Sequence, residues 1–317
     1  MTANQATDFM RCIREGEFVL MDGSLGTELE RRGVPFAGEG WSALAVRDYG
    51  EVIRQIHADY IEAGARLHIV NSFALARHVL EPLGLGDRFE QLNRQAVGLF
   101  DDAAKEAGVA RNTLWAAGSL STFAANSDRS LLPRGEALAI NYSDQAKVLR
   151  DAGVDLFALE MLFDIDVSLA MLKAVEGLGL PVILGFTCER DPVDATAVIT
   201  HGGMGRAVSV FEEVLPRVID AIESNDVILS IMHSEAGVTD TALEILARYW
   251  DGPVAVYPNS GYFVDLHMQF DSVCSVEDFR DAAQKWIDHG VQIVGGCCGI
   301  GPLRIQDLGR CLNALSR

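Results

Sequence analysis

The chain reads as α/β, a single (β/α)8 barrel. Three observations carry that reading. Eight short apolar, β-branched runs recur along the chain, each followed by a segment with helical spacing of apolar residues. Glycines stand where helices should end, at Gly64, Gly153, Gly179 and Gly290, a few residues before the next run. No linker or composition break divides the 317 residues, and a barrel of this kind takes about 250. The candidate strands are Phe18–Met21, Leu67–Val70, Thr113–Ala117, Leu156–Leu159, Val182–Phe186, Val227–Ile231, Val254–Tyr257 and Gln292–Gly295. The clearest helical spacing lies in Tyr49–Ala63, Ser168–Leu178 and Thr239–Tyr249. The extra length falls in three loops, Gly33–Trp41, Leu120–Arg134 and Glu189–Gly205. Residues 1–317 therefore read as one domain, with 1–12 a loose leader. The rival, a doubly wound open sheet, lacks a Gly-x-Gly-x-x-Gly turn after its first strand.

Composition narrows the partners. A formal net charge of −19 argues against nucleic acid and against anionic membrane surfaces. No apolar run is long enough to span a bilayer, and Met1 to Met10 has neither the basic region nor the apolar stretch of a secretory signal. Six cysteines in a chain of this length are too few for a disulfide framework, so reduced thiols in the cytoplasm are expected. Homo-oligomerisation is left open.

In a (β/α)8 barrel the strand C-termini build the site. After the first strand comes Asp22-Gly23-Ser24-Leu25-Gly26-Thr27, after the second Asn71-Ser72-Phe73, and after the third Gly118-Ser119. Glu160 follows the fourth, Thr187-Cys188 the fifth, and Met232-His233-Ser234 the sixth. The seventh ends in Tyr257-Pro258-Asn259-Ser260-Gly261 and the eighth in Cys297-Cys298. Adjacent cysteines in a glycine-flanked turn suit a soft metal, but they also fit a structural turn or a vicinal disulfide. His233 is favoured over Cys188 as a third ligand because imidazole suits Zn²⁺ and Cys188 lies further out. The other six histidines, His57 and His68 among them, take a structural reading. Three protein ligands leave one zinc position open, the mark of a catalytic site. A thiolate-rich shell favours a sulfur substrate over water, and a hydrolytic barrel should show His-x-His on its first strand, where this chain has Asp22-Gly23-Ser24.

These residues resemble the homocysteine S-methyltransferase family, which includes the betaine and S-methylmethionine enzymes. Asp22 to Thr27 is similar to the family's Asp-Gly-x-x-Gly-Thr, Trp41-Ser42 to its Trp-Ser/Thr, and Asn71-Ser72-Phe73 to its Asn-Thr-Tyr. Tyr257 to Gly261 resembles Tyr-Pro-Asn-Ala-Gly, and Gly295-Gly296-Cys297-Cys298-Gly299 matches the Gly-Gly-Cys-Cys-Gly signature. The resemblance implies a barrel with one Zn²⁺, held here by His233, Cys297 and Cys298, with no catalytic group beyond the zinc centre. It implies methyl transfer from a small sulfonium or quaternary ammonium donor to homocysteine, forming methionine. The chain's length leaves no room for folate- or cobalamin-binding modules. By the same resemblance Glu160 meets the amino group of homocysteine and backbone N–H groups at Gly26 and Thr27 hold its carboxylate. Asp22 orders that turn, and Asn259 belongs to the substrate-binding set. Trp41 offers an aromatic face to the donor or anchors its loop. Three departures stand out: Met232-His233 replaces Asn-Cys, Met161 replaces Thr after Glu160, and Ala74-Leu75-Ala76-Arg77 replaces a polar stretch. With His for Cys, the thiolate-bound centre carries one negative charge fewer. The rival readings are a demethylase of a quaternary amine or sulfonium compound with another thiol acceptor, and a non-catalytic zinc- or ligand-binding paralogue.

Overall fold

The computed structural model describes residues 2–35, 40, 42–124, 129–194, 196–201, 208–264 and 267–315. All eight expected strands form: β1 (Val19–Leu20), β2 (Leu67–Val70), β3 (Trp115–Ser121), β4 (Leu156–Leu162), β5 (Val182–Arg190), β6 (Val227–Glu235), β7 (Val254–Asn259) and β8 (Ile293–Val294). They are parallel and ordered β1-β8-β7-β6-β5-β4-β3-β2. A parallel bridge between Met21 and Leu67 joins β2 back to β1 and brings the ring to near closure.

Alternation along the strands separates two layers. Met21, Ile69, Trp115, Ala158, Ile183, Ile228 and Ile293 fill the barrel interior. Their neighbours Leu20, Val70, Ala116, Phe157, Leu184, Leu229 and Val294 pack outward with the helices. The helix Gly50–Glu62 shows why this sequence suits that layer. Ile53, Ile56, His57, Tyr60 and Ile61 recur at three- and four-residue spacing and all are buried. The glycines expected at helix ends, Gly64, Gly153, Gly179 and Gly290, all have positive φ.

Three sequence expectations are corrected. The first dozen residues are no loose leader but belong to a helix, Thr2–Arg14. Its Phe9, Met10 and Ile13 are buried in the barrel's interior cluster, with Phe9 edge-on to Trp115 at 5.2 Å between ring centroids. Gln5 Nε2 donates to the carbonyls of Arg111 and Leu114 at 3.1 and 3.2 Å. The polar start hid an amphipathic helix that closes the bottom of the barrel. Next, β3 begins and ends later than expected, with a short 3₁₀ turn at Arg111–Thr113 before it. Its serines look like loop residues, but Ser119 N–H donates to Ser72 Oγ at 2.9 Å and Ser121 Oγ to the Phe73 carbonyl at 2.7 Å. Finally, part of the 189–205 loop is ordered as strand Val198–His201, antiparallel to the end of β5 and to Val208–Val210. A further hairpin, Tyr262–Val264 with His267–Gln269, follows β7. Among the described residues no helix is long and apolar enough to cross a membrane.

Candidate active site and metal centre

Two irregularities in the barrel wall aim the central side chains. The β4–β5 register shifts between Leu159 and Leu162, and the β6–β7 register shifts between Met232 and Glu235. Within those shifts lie Met161 at φ 59° and His233 at φ 54°, the only non-glycine residues among those described with positive φ. A left-handed backbone disfavours residues bearing a Cβ by about 1–2 kcal/mol, and a bulge re-aims the side chains beside it. Here the effect is to turn Glu160 on β4 and His233 on β6 toward each other across the mouth of β5.

His233 Nε2 lies 2.9 Å from Glu160 Oε2, and the Ser119 hydroxyl donates to the other carboxylate oxygen. A carboxylate only accepts, so His233 donates through Nε2 and its Nδ1 keeps a free lone pair. That nitrogen points at Cys297 Sγ, 3.1 Å away, and Cys297 Sγ lies 3.6 Å from Cys298 Sγ. The cysteine turn is held from every side. Cys297 N–H donates to the Pro258 carbonyl at 2.7 Å, Cys298 N–H to Asn259 Oδ1 at 3.1 Å, and Gly299 N–H to Thr27 Oγ1 at 3.2 Å. Gly299 sits at φ 82°, where a Cβ would collide with the Ser260 carbonyl. Asn259 also donates to the His233 carbonyl at 2.8 Å, so one side chain ties the histidine to the cysteine turn.

The centre lines a pocket formed by the turn from Gly23 to Gly26, Ser42, Ile69 to Asn71, Phe73, Glu160, His233, Tyr257 and Cys297. No lysine or arginine is in that lining. The Cys297 thiol is held well above its usual range, first by its hydrogen bond with Cys298, then by burial and the nearby Glu160. Burial and the neighbouring Asp22 raise the Tyr257 phenol in the same way. The wall is thus rich in groups that ionise only beside a cation, and it offers no cation of its own. Two thiols 3.6 Å apart, with an imidazole nitrogen 3.1 Å from the first, are donors of the kind that zinc takes.

The expected site residues divide into three groups. Gly26, Glu160, His233 and Cys297 line the pocket, with Cys298 directly behind. Asp22, Thr27 and Asn259 stand one layer back. Asp22 is buried beneath the lining, accepting from Ile69 N–H at 3.0 Å and from the Tyr257 hydroxyl at 3.3 Å, and burial pushes its carboxyl well up. Thr27 and Asn259 brace the cysteine turn. Trp41 lies outside the described residues. The rival ligand Cys188 belongs to the outer cluster, packed toward the helices, and is absent from the lining. Sequence reasoning passed over Ser119, which holds Glu160, and the rings of Phe73 and Tyr257, 6.0 and 6.5 Å from His233. Their places at strand ends were the available signal. It also gave His57 and His68 a structural reading, whereas with Asp22 they offer three ligand atoms within 4.8 Å of one another.

Comparison with known proteins agrees with this geometry. The homocysteine S-methyltransferase family model matches residues 19–312. The homocysteine S-methyltransferase of Escherichia coli strain K12 is 29% identical, aligned over 92% of this chain and 94% of its own. The selenocysteine methyltransferase of Astragalus bisulcatus is 26% identical over 99% of this chain and 97% of its own. The metallated crystal form of the Escherichia coli homocysteine methyltransferase MmuM superposes with a TM-score of 0.72 at 25% identity, covering 93% of this chain and 96% of that one. A match that starts at β1 and runs past the cysteine turn takes in every strand that supplies the pocket, and on it the chain belongs to the homocysteine S-methyltransferase family.

Proposed function

We propose that this protein transfers a methyl group from a small sulfonium or quaternary ammonium donor to the thiol of homocysteine, forming methionine, with one Zn²⁺ held by His233, Cys297 and Cys298. The observation that carries this reading is the convergence of the two thiols and the His233 Nδ1 lone pair at the pocket wall. Zinc there would supply the Lewis acidity that keeps an acceptor thiol ionised near neutral pH. The residues supply the rest. Glu160 fixes the imidazole, as carboxylates do for metal-bound histidines. It also has lone pairs left to accept from the acceptor's ammonium, since a carboxylate offers about four sites. The backbone N–H groups of Leu25 and Gly26 face the acceptor's carboxylate, those of Ser24 and Thr27 being taken by the Ile300 carbonyl and Ser24 Oγ, and Asp22 orders that turn from beneath. Phe73 and Tyr257 give the cationic donor aromatic faces.

In the reaction the acceptor sulfur forms a bond to the methyl carbon while the donor's C–S or C–N bond breaks. The donor leaves neutral, and the thiol proton has already passed to solvent. No general base on the donor is required, so alignment and electrostatics dominate. Six free cysteines, two of them in the site, fit a reducing compartment such as the cytoplasm.

A second reading uses the same chemistry with a different thiol, as a demethylase. It is favoured by the engagement of both Glu160 oxygens, with Ser119 and His233, which leaves the ammonium less room. Metal analysis followed by a donor panel decides between them. The expected outcome is zinc in the purified protein, methionine detected by mass spectrometry from homocysteine, and loss of both in Cys298→Ala. Turnover only with thiols that lack an amino group would select the second reading. Zinc without turnover on any donor would sink both.

A further inference from the structure

Behind the barrel wall, away from the methyl-transfer pocket, two buried histidines meet the buried Asp22 and leave three ring nitrogens unsatisfied among the described residues. His57, on helix Gly50–Glu62, and His68, on β2, are both fully buried, and Phe100 packs against both rings at 5.5 and 5.1 Å. Neither ring nitrogen of His57 has a hydrogen-bond partner among the described residues, and neither does His68 Nδ1. An orphaned buried polar atom is disfavoured by about 1–3 kcal/mol, so three in one place call for an occupant.

The tautomer shows what kind. His68 Nε2 lies 3.0 Å from the Ala65 carbonyl, which can only accept, so the proton is on Nε2 and the Nδ1 lone pair faces outward. It faces Asp22 Oδ2, 3.8 Å away, which already takes the Ile69 N–H. Two acceptors confront each other there, with a third available from His57, and all three ligand atoms lie within 4.8 Å. The 3.8 Å span is one that a single ion bridges with bonds of about 2.0–2.2 Å to nitrogen and carboxylate oxygen.

We propose that Asp22, His57 and His68 hold a second, structural divalent cation of the zinc type, pinning β1 and β2 to the helix Gly50–Glu62 that covers them. Burial drives both imidazoles toward the neutral, ligating form, with His57 lowered to about 4 and His68 to about 3. It also leaves the Asp22 carboxyl raised for want of a positive neighbour. Two imidazoles and a carboxylate suit zinc and its first-row neighbours better than magnesium or calcium, which prefer all-oxygen shells. With Asp22 directly beneath the pocket turn, the ion would stiffen the floor on which the acceptor sits.

The test uses cobalt as a visible probe. The full chain carrying Cys297→Ser and Cys298→Ser should still bind one equivalent of Co²⁺. Its visible d–d bands should appear without the near-ultraviolet thiolate bands that a cysteine-bound cobalt shows. Adding His57→Leu, which replaces the orphaned nitrogens with an apolar side chain, should abolish that equivalent and make the melting temperature indifferent to chelator. If the cysteine variant does not fold, the wild type answers alone, with two equivalents expected and one, carrying thiolate bands, overturning the proposal. Cobalt-free cysteine variant with only an ordered water between the three side chains overturns it as well. An ion that survives the cysteine substitutions while turnover was never present would leave this site standing and fell the methyl-transfer reading, so the two fail separately.

Discussion

His233 in the barrel wall and His57 on the helix behind it are both imidazoles, and the fold treats them in opposite ways. His57 sits on an ordinary helix with a relaxed backbone, and its two nitrogens have no hydrogen-bond partner among the described residues. His233 sits in a left-handed backbone at a register shift, and both its nitrogens are engaged, one by Glu160 and one by Cys297. Backbone strain at His233 is matched by full direction of the side chain, whereas the relaxed position leaves its side chain to whatever occupies the gap. Local strain in this molecule marks where geometry is imposed, and unsatisfied atoms mark where it is awaited.

The largest expected effect breaks the imposed side of that contrast. Glu160→Gln keeps the size of the side chain but removes the carboxylate that orients His233. Zinc affinity, measured by chelator competition, should fall by roughly 10–100-fold, the range typical for a lost carboxylate partner of a metal-bound histidine. The same variant separates two roles of Glu160. If it also reads the acceptor's ammonium, KM should rise more for homocysteine than for a thiol without an amino group. Equal changes for both thiols would make it a positioning residue alone. An unchanged zinc affinity would mean that the strained backbone at His233 suffices without the carboxylate.

A smaller effect is expected at Asn259, which joins the two metal-bearing segments. Asn259→Ala removes hydrogen bonds to the His233 carbonyl and from Cys298 N–H. At about 0.5–1.5 kcal/mol each, the loss of stability in urea should be about 1–3 kcal/mol, with weaker zinc binding alongside. Loss of stability with zinc affinity intact would show that the cysteine turn is held well enough by Pro258 and Thr27.

How much of this was legible beforehand follows from what each feature depends on. The eight strands and their helices rest on local periodicity, which the chain displays, so the barrel could be read directly. Cys297, Cys298 and Glu160 could be read because each follows an apolar run and matches a family motif, and His233 because it follows an apolar run where the family places a cysteine. The Glu160–His233 contact could not, since it depends on two register shifts, and nothing in Met161 or Met232-His233-Ser234 announces a left-handed residue. The helix Thr2–Arg14 was hidden by polar residues on its outer face, with Ala6, Phe9, Met10, Cys12 and Ile13 buried on its inner one. Thr27 and Asn259 were picked from motifs and given substrate to hold, whereas their side chains support the cysteine turn. A motif marks which residues matter and carries no direction for the side chain.

The smallest effect tests the strain itself, at Met161, the partner of His233 in backbone conformation. Met161 is only part-buried and donates nothing to the metal set, so its backbone can be relaxed without removing a ligand. Glycine adopts φ 59° freely, which should recover about 1–2 kcal/mol, while its greater freedom in the unfolded chain takes back about 0.4–1 kcal/mol. Met161→Gly should therefore be more stable than Met161→Ala by up to about 1 kcal/mol in urea denaturation. Both variants lose the contacts made beyond Cβ, so the difference reports mainly the backbone. At an ordinary strand position the order runs the other way, with alanine the more stable. If alanine is the more stable at 161 too, the left-handed turn is not strained in solution, and the contrast between His233 and His57 loses its energetic basis.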